Sequence, residues 1–405
     1  MNDKQLVELA KKTLESYQLC DSCLGRLFRQ IEKGSTNKQK GTLIRNNLKQ
    51  SKKTHAKDCW LCEGLTGETD HFVDLISDAL KEYEFDTFLI GSKIDEDIVE
   101  REKELWDFIS SEDFEPIKME INREVGKILE EKLGKTVDFE KPDITVIVDT
   151  AFDVVNLQIR PLFIYGRYKK FERGIPQTRW PCRICRGKGC SSCNYTGKMY
   201  ETSVEELISK KALKRTKGND ESFHGCGRED IDALMLGSGR PFVLEIKNPK
   251  KRTIDLAILT SEINSYTKDR VEISNLRFSD RKEIARIKNA EFQKTYYIII
   301  EGEKPIKKEK LKEVAQILQG KTIKQLTPTR VAHRRANKIR ERKIYNCELE
   351  SVEGSIARLT IETQSGTYIK ELVSGDSGRT TPNISEMIGI PCKVKELDVI
   401  EIKGE

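Results

Sequence analysis

The sequence predicts an α+β protein of two domains, an amino-terminal α/β module over residues 1–200 and a carboxy-terminal half over residues 201–405 built on a mixed, mainly antiparallel sheet. Three observations carry this. The chain has 405 residues, two or three times a typical domain length. Helical and strand-like periodicities alternate through the first part, and runs of strands with inserted helices fill the second. Between them stands a glycine-punctuated cluster of cysteines, after which a new helical pattern starts.

Leu6, Leu9, Ala10, Leu14 and Tyr17 recur at helical spacing after Asn2 and Asp3, which predicts a helix over 3–19. Residues 71–83 read as a second helix leading into the short strand FLIGSKI, and the acidic stretch 95–133 as helical, with Ile98, Leu105, Trp106 and Ile109 on one face. Three strands should follow, at 144–149, 154–160 and 162–168. Past Thr202, SVEELISKKALKR begins a helix, and 234–246 reads as two strands around a Gly237–Gly239 turn. Further strands are expected at 294–301, 342–349 and 356–363, and helices at 255–268 and 308–318.

Eight of the eleven cysteines form four C-x-x-C pairs. A two-residue gap lets two thiolates converge on one tetrahedral ion. Cys20, Cys23, Cys59 and Cys62 read as one four-cysteine zinc site. Cys182, Cys185, Cys190 and Cys193, in CRICRGKGCSSCNYTGK, read as a zinc-ribbon hairpin whose glycines allow tight turns. Structural Zn2+ at one or two sites is therefore the expected cofactor. Redox pairs come singly at the start of a helix, so four pairs favour metal. The unpaired Cys226, Cys347 and Cys392 are expected in the core.

The net charge of +6 is unevenly spread: residues 1–200 hold 33 Lys/Arg and 34 Asp/Glu, and residues 201–405 hold 39 and 32. The excess is sharpest over 321–343, with nine Lys/Arg and one acidic residue, Glu341. An isolated basic run is as often a solvated helix face as a binding site; nucleic acid is its natural partner otherwise. The longest apolar run, Tyr296 to Ile300, is far too short for a membrane span. The amino terminus has no signal-peptide pattern, so a cytoplasmic protein without structural disulfides is expected.

Three segments of the second half combine reactive groups with turn chemistry: HGCGREDIDALMLG, QKTYYIIIEG and GTYIKELVSGDSGRTTPN. Taken singly, Arg228-Glu229-Asp230 is an ordinary surface ion pair, Tyr296 a core aromatic and Tyr368-Ile369-Lys370 a strand with a surface lysine. In this order they resemble the three motifs of pseudouridine synthases: an R-x-D, a K-x-Y opening an apolar strand, and a G-T-Y-I-K strand. The longer strings GREDIDALMLGSGRPFVLEIKNP and TPTRVAHRRA, with the amino-terminal C-x-x-C pairs, resemble the Pus-ten family of archaeal and eukaryotic tRNA pseudouridine synthases over nearly the whole chain.

That resemblance implies a pseudouridine synthase catalytic domain behind a zinc-containing THUMP-type RNA-binding domain, acting as a monomer on uridine 55, and as a further target uridine 54, of the TΨC arm of tRNA. Its catalytic residues map onto Asp230 as nucleophile, Tyr296 as the aromatic that stacks on the uracil, with removal of the C5 proton by its hydroxyl as the open alternative, and Lys370 as the charge that keeps the carboxylate ionised. Leu372 would add an apolar wall. Arg228, Tyr368, Arg330, His333, Arg334 and Arg335 would hold the RNA, with Arg160, Arg167, Tyr168 and Lys169 serving the amino-terminal domain; Glu229 and Asp232 would be structural. The isomerisation breaks C1′–N1 and joins C5 to C1′ without redox change, so no organic cofactor is needed; an anion at C1′ is. The rivals are a non-catalytic zinc-ribbon RNA-binding protein or tRNA-folding chaperone, which would not need all three catalytic residues, and a THUMP-bearing methyltransferase or thiouridine synthase, whose glycine-rich or ATP-binding loop is absent.

Overall fold

In a computed structural model the chain folds into two compact units, residues 1–160 with 248–253, and residues 161–247 with 254–405. The structure describes residues 3–28, 31, 34–49, 54–110 and 114–404, without the side chains of 3–5 and 334. Asn2, one of the two expected cap residues of the first helix, lies outside the described residues. No helix among them is long and apolar enough to cross a membrane.

The first unit opens with three helices, α1 (Asp3–Ser16), α2 (Asp21–Arg26) and α3 (Asn37–Asn47), followed by α4 (Thr69–Leu80). A four-stranded sheet follows, in the order β2 (Thr136–Val137), β1 (Thr87–Lys93), β3 (Ile144–Asp149), β4 (Val154–Ile159). β1 and β3 are parallel, with Phe88 opposite Ile144, and two helices make the crossover: α5 (Glu96–Ile109) and α6 (Ile117–Leu133). The acidic stretch is thus two helices, ended and restarted by the left-handed Ser110 and by Pro116. Alternate residues of β1 and β3 are buried, so Phe88, Ile90, Ile144, Val146 and Val148 pack with Leu105, Ile121, Val125 and Leu129 of the helices. The hexapeptide 248–253 belongs here because Arg252 lies 3.2 Å from Asp143 and Lys250 pairs with Glu82. Burial pushes the Asp143 carboxyl up, but the backbone N–H of Asp86, together with Arg160 and Arg252, outweighs it and holds it below the usual carboxylate range.

The second unit is built on a ten-stranded sheet. Its strands are β5 (Leu162–Lys170), β6 (Asp220–Gly225), β7 (Leu234–Lys247), β8 (Val271–Ser279), β9 (Gln293–Gly302), β10 (Thr322–Leu326), β11 (Ile339–Glu353), β12 (Ile356–Thr363), β13 (Thr380–Thr381) and β14 (Cys392–Lys403). They run in the order β13-β10-β11-β12-β9-β14-β7-β5-β8, with β6 also on β7. Helices α7 (Val204–Thr216), α8 (Leu256–Thr267), α9 (Arg281–Asn289), α10 (Lys308–Leu318), α11 (Ile369–Ser374) and α12 (Ile384–Ile388) connect them.

Two expectations change here. The boundary at residue 200 moves to 160, because β5 pairs with β7 and β8 and so carries the cysteine hairpin 182–193 into the second unit. The charge division sharpens with it: the first unit holds 27 Lys/Arg against 33 Asp/Glu, net −6, and the second 45 against 33, net +12. Residues 234–246, expected as two strands around a turn, are one strand with a bulge: Tyr168 faces Arg240 and Lys170 faces Met235, leaving 236–239 opposite Lys169 alone. Gly239 is left-handed there, and a Cβ on it would lie 2.8 Å from the Tyr168 carbonyl oxygen. The bulge divides β7's edge between β6 along 242–247 and β14 at 234–235, and the loop joining β6 to β7 opens at that fork.

Candidate active site

A cavity of about 460 Å³ lies in the second unit, between the β6–β7 loop, β9, β14 and the loop before α11. Asp230, Tyr296 and Lys370 all line it, with Arg228, Tyr368, Arg330 and Arg335. Its apolar wall is Ile369, Leu397 and Val399. Leu372, expected as that wall, is fully buried in the core around β9, β12 and α11 instead. The reason is local: the expected G-T-Y-I-K strand is a loop with Tyr368 capping α11, so Lys370 and Leu372 sit on a helix, where two residues turn through about 200°. His333 is exposed and off the lining, and the Arg334 side chain lies outside the described residues. The basic run 321–343 is β10, a 3-10 turn over Thr329–Arg334 and the start of β11, not a helix face.

Asp230 is gripped by two cations. Lys370 Nζ stands 3.1 Å from its Oδ2 and 3.2 Å from Asp232 Oδ2, and Arg330 Nη1 is 3.7 Å from its Oδ1. Arg330 is itself fixed by Glu371, at 2.6 Å from Nε to Oε1, so this arginine serves the carboxylate directly. Burial works against the Lys370 charge, but Asp230 and Asp232 outweigh it and raise its pKa, so the lysine stays protonated. Burial likewise opposes the Asp232 carboxylate, and Lys370 outweighs it and lowers the pKa. The half-buried Tyr296 hydroxyl is pushed up to about 12, by burial first and by Asp230 second, against the pull of Arg240. It is a neutral phenol near neutrality, able to offer its ring and a donor hydrogen but no base.

The backbone of the Asp230 loop is held from beneath by groups that the sequence reading missed. Arg240 of β7 is buried; its Nε donates to Glu229 Oε2 at 2.8 Å and its Nη1 to the Cys226 carbonyl at 2.8 Å. The Tyr168 hydroxyl donates to Glu229 at 2.9 Å and accepts from Gln177 Nε2, which reaches the Gly227 carbonyl as well. Lys170, fully buried, sends its ammonium to the carbonyls of Ile175, Ile231 and Asp230 at 3.0, 3.1 and 3.4 Å. Glu229, expected to be structural, ties Arg240 and Tyr168 to the loop and also lines the cavity. Arg167 and Tyr168, expected at an RNA surface, are interior: Arg167 donates to the carbonyls of Ser238, Gly239 and Ile402. Arg160 and Lys169 pair with Asp143 and Glu272. The available signal was Arg240 standing at the head of the apolar run Pro241–Leu244, since an arginine in a buried strand must have a partner.

One more cation faces the cavity. Lys294 is buried on β9, with Nζ 3.2 Å from Ser365 Oγ, and burial, reinforced by Arg240, pushes its pKa down to about 8.

The cysteines assemble as two tetrads, Cys20/Cys23/Cys59/Cys62 in the first unit and Cys182/Cys185/Cys190/Cys193 in the second, each with its four sulfurs within 4.8 Å of one another. All are free thiols. Backbone N–H groups point at the sulfurs, Cys20 to Cys59 at 3.2 Å, and Gly189 to Cys185 and Gly197 to Cys193 at 3.2 Å. Four thiolates so close repel one another unless a cation sits among them, and an all-sulfur tetrahedral set suits Zn2+. The residues present fit the metal.

The family model for the carboxy-terminal part of Pus10 matches residues 163–403, and the model for the archaeal Pus10 THUMP domain matches residues 72–149. The tRNA pseudouridine synthase Pus10 of Methanothrix thermoacetophila is 41% identical over 429 residues, covering 98% of this chain and 95% of its own. That of Methanocaldococcus jannaschii is 44% identical over 429 residues, covering 96% of this chain and 93% of its own. Among solved structures, a Cbf5-Nop10-Gar1 complex is similar at 16% identity with a TM-score of 0.32, over 49% of this chain and 45% of that one, too slight a likeness to align sites.

Proposed function

The chain belongs to the Pus10 family of tRNA pseudouridine synthases, and from that premise we propose that Asp230 is the nucleophile that isomerises uridine 55 of the TΨC arm, with uridine 54 as the second candidate target. The observation that supports this most directly is a carboxylate at the wall of a cavity, with Lys370 at 3.1 Å and Arg330 at 3.7 Å. Those two cations fix the carboxylate at the cavity wall, where a sugar carbon losing its base requires an anion.

In this reading the target nucleotide is drawn out of its stack into the cavity, at a cost of a few kcal/mol. The uracil lies against the Tyr296 ring, with Ile369, Leu397 and Val399 as apolar walls. The Asp230 carboxylate adds to C1′ as the C1′–N1 bond breaks. The uracil turns, C5 bonds to C1′ as the carboxylate leaves, C5 gives up its proton and N1 takes one. Tyr296 stacks and does not act as the base, because its hydroxyl pKa of about 12 leaves almost no phenolate at neutral pH. Arg228, Tyr368 and Arg335 on the lining meet the ribose-phosphate backbone, with the exposed His333 of the turn before Arg335 further along it and Arg334 of that turn as a further RNA-binding residue. The second unit, at net +12, supplies the attraction for phosphate; the THUMP-containing first unit, at net −6, would recognise RNA shape through a few placed groups. Both tetrads hold structural Zn2+ and take no part in the chemistry; two zinc atoms per chain by elemental analysis are expected, and fewer than one overturns this assignment.

Release of tritium from C5 of uridine in an unmodified tRNA transcript, with the product mapped by position, tests the proposal. Release by the native chain that disappears in Asp230→Asn while tRNA binding persists is the expected result. Undiminished release by Asp230→Asn removes Asp230 from the role, and a product at another position removes the target.

A further inference from the structure

We infer that the cysteine hairpin of the second unit clamps the RNA strand beside the target uridine, with Trp180 at its base stacking on the neighbouring nucleobase. This rests on the reading that the Asp230 cavity receives the extruded uridine. A second recess, of about 280 Å³, adjoins that cavity: Arg228, Asp230, Arg330 and Lys370 line both, while Thr178 and Trp180 line only the second. The Trp180 indole is set edge-on against Tyr200, with ring centroids 5.7 Å apart, and the Trp180 carbonyl accepts from the Met199 N–H across the hairpin base. Trp180 is therefore held at a recess whose wall the Asp230 carboxylate shares. Drawing one base out of a stack leaves its neighbour without a partner, and an indole at that spot replaces the lost contact.

The hairpin beyond Trp180 has the composition of a single-strand platform. Residues 181–200 contain four Arg/Lys and no Asp/Glu. Arg183, Arg186 and Lys188 are exposed and make no ion pair among the described residues. Ile184 and Tyr195 are 71% and 78% exposed on the same hairpin. A knuckle that served only to hold its metal would have no need of unpaired cations interleaved with bare apolar and aromatic groups; a surface that follows a ribose-phosphate strand needs both.

The test uses the full-length chain carrying Asp230→Asn and a tRNA transcript with 4-thiouridine placed next to the mapped target. Photo-crosslinked peptides should fall within 176–198. In the otherwise native chain, Trp180→Leu should raise KM about tenfold, with the loss on KM rather than kcat. The triple variant Arg183→Ser, Arg186→Ser, Lys188→Ser should lower the slope of log binding constant against log salt by roughly 2. Metal content equal to that of the native chain shows in each case that the hairpin is still folded. Crosslinks wholly outside 176–198, or a native KM in Trp180→Leu together with a native salt slope in the triple variant, would overturn the clamp. If the native chain meanwhile releases tritium, the catalytic reading stands and only the clamp fails; if it releases none, the catalytic reading itself is refuted.

Discussion

Glu229 and Asp230 are neighbours on one loop, each a carboxylate beside a cation, yet they differ in access to water. Glu229 and its partner Arg240 have side chains 1% and 2% exposed; Asp230 and Lys370 are 37% and 31% exposed and open on a cavity. The first pair lies at the edge of the same cavity with its side chains all but closed to water, the carboxylate fastened by Tyr168 as well as Arg240. An open pair leaves its carboxylate oxygens within reach of an incoming sugar. If Asp230 is the nucleophile proposed above, the same chemistry serves as anchor at one position and as reagent at the next, with burial deciding which.

The contrast is broken most sharply by Asp230→Asn. Turnover should fall by at least about 10⁴-fold, the scale of removing a nucleophile, while Tm moves by less than about 2 °C, because Lys370 keeps Asp232 as a partner. Glu229→Gln should do the reverse. It leaves Arg240 charged and buried, so the denaturation midpoint should drop by the equivalent of about 3–5 kcal/mol while the folded fraction keeps most of its turnover. Equal stability in the two variants would erase the distinction. Lys370→Met should cost about 10²–10³-fold in kcat, with Lys370→Arg recovering most of it; no recovery would mean that the lysine does more than supply charge.

Lys294 sharpens the comparison, being a buried cation that nonetheless faces the cavity. Its pKa of about 8 makes it charged below that pH and neutral above. Turnover that depends on the charge should fall as pH rises through about 8, and Lys294→Met should lack that limb in a kcat/KM profile. A limb unchanged in the variant assigns it elsewhere. The smallest effect should come from Arg335→Ala, which raises KM about three- to tenfold and reduces the salt slope of binding by roughly 0.7.

The open half of the site was legible in the sequence and the sealed half was not. Asp230, Tyr296 and Lys370 sit in short strings whose order and spacing carry a family likeness, and the cavity gathers all three. Arg240, Lys170 and Tyr168 reach the loop through pairing between β5 and β7, strands some seventy residues apart, and nothing local to either strand announces that register. Leu372 was misplaced because a strand was assumed where the chain turns helical, which reverses the side of every second residue. Both tetrads were readable because two-residue gaps are themselves a geometry. The domain boundary was drawn forty residues late because the cysteine hairpin looks like an ending, whereas it is an insertion between β5 and α7.

Residues 248–253, flanked by β7 and α8 of the second unit, belong to the first. The chain therefore visits the first unit twice, and no one peptide bond parts the two. A gene fragment ending at codon 160 would encode a fold that lacks Arg252 and leaves Asp143 with Arg160 as its remaining cation. A fragment starting at 161 would carry Lys250, Lys251 and Arg252 with nothing to receive them. Simple end-to-end fusion at 160/161 would separate Asp143 from Arg252 and so cost the first unit one of its own ion pairs.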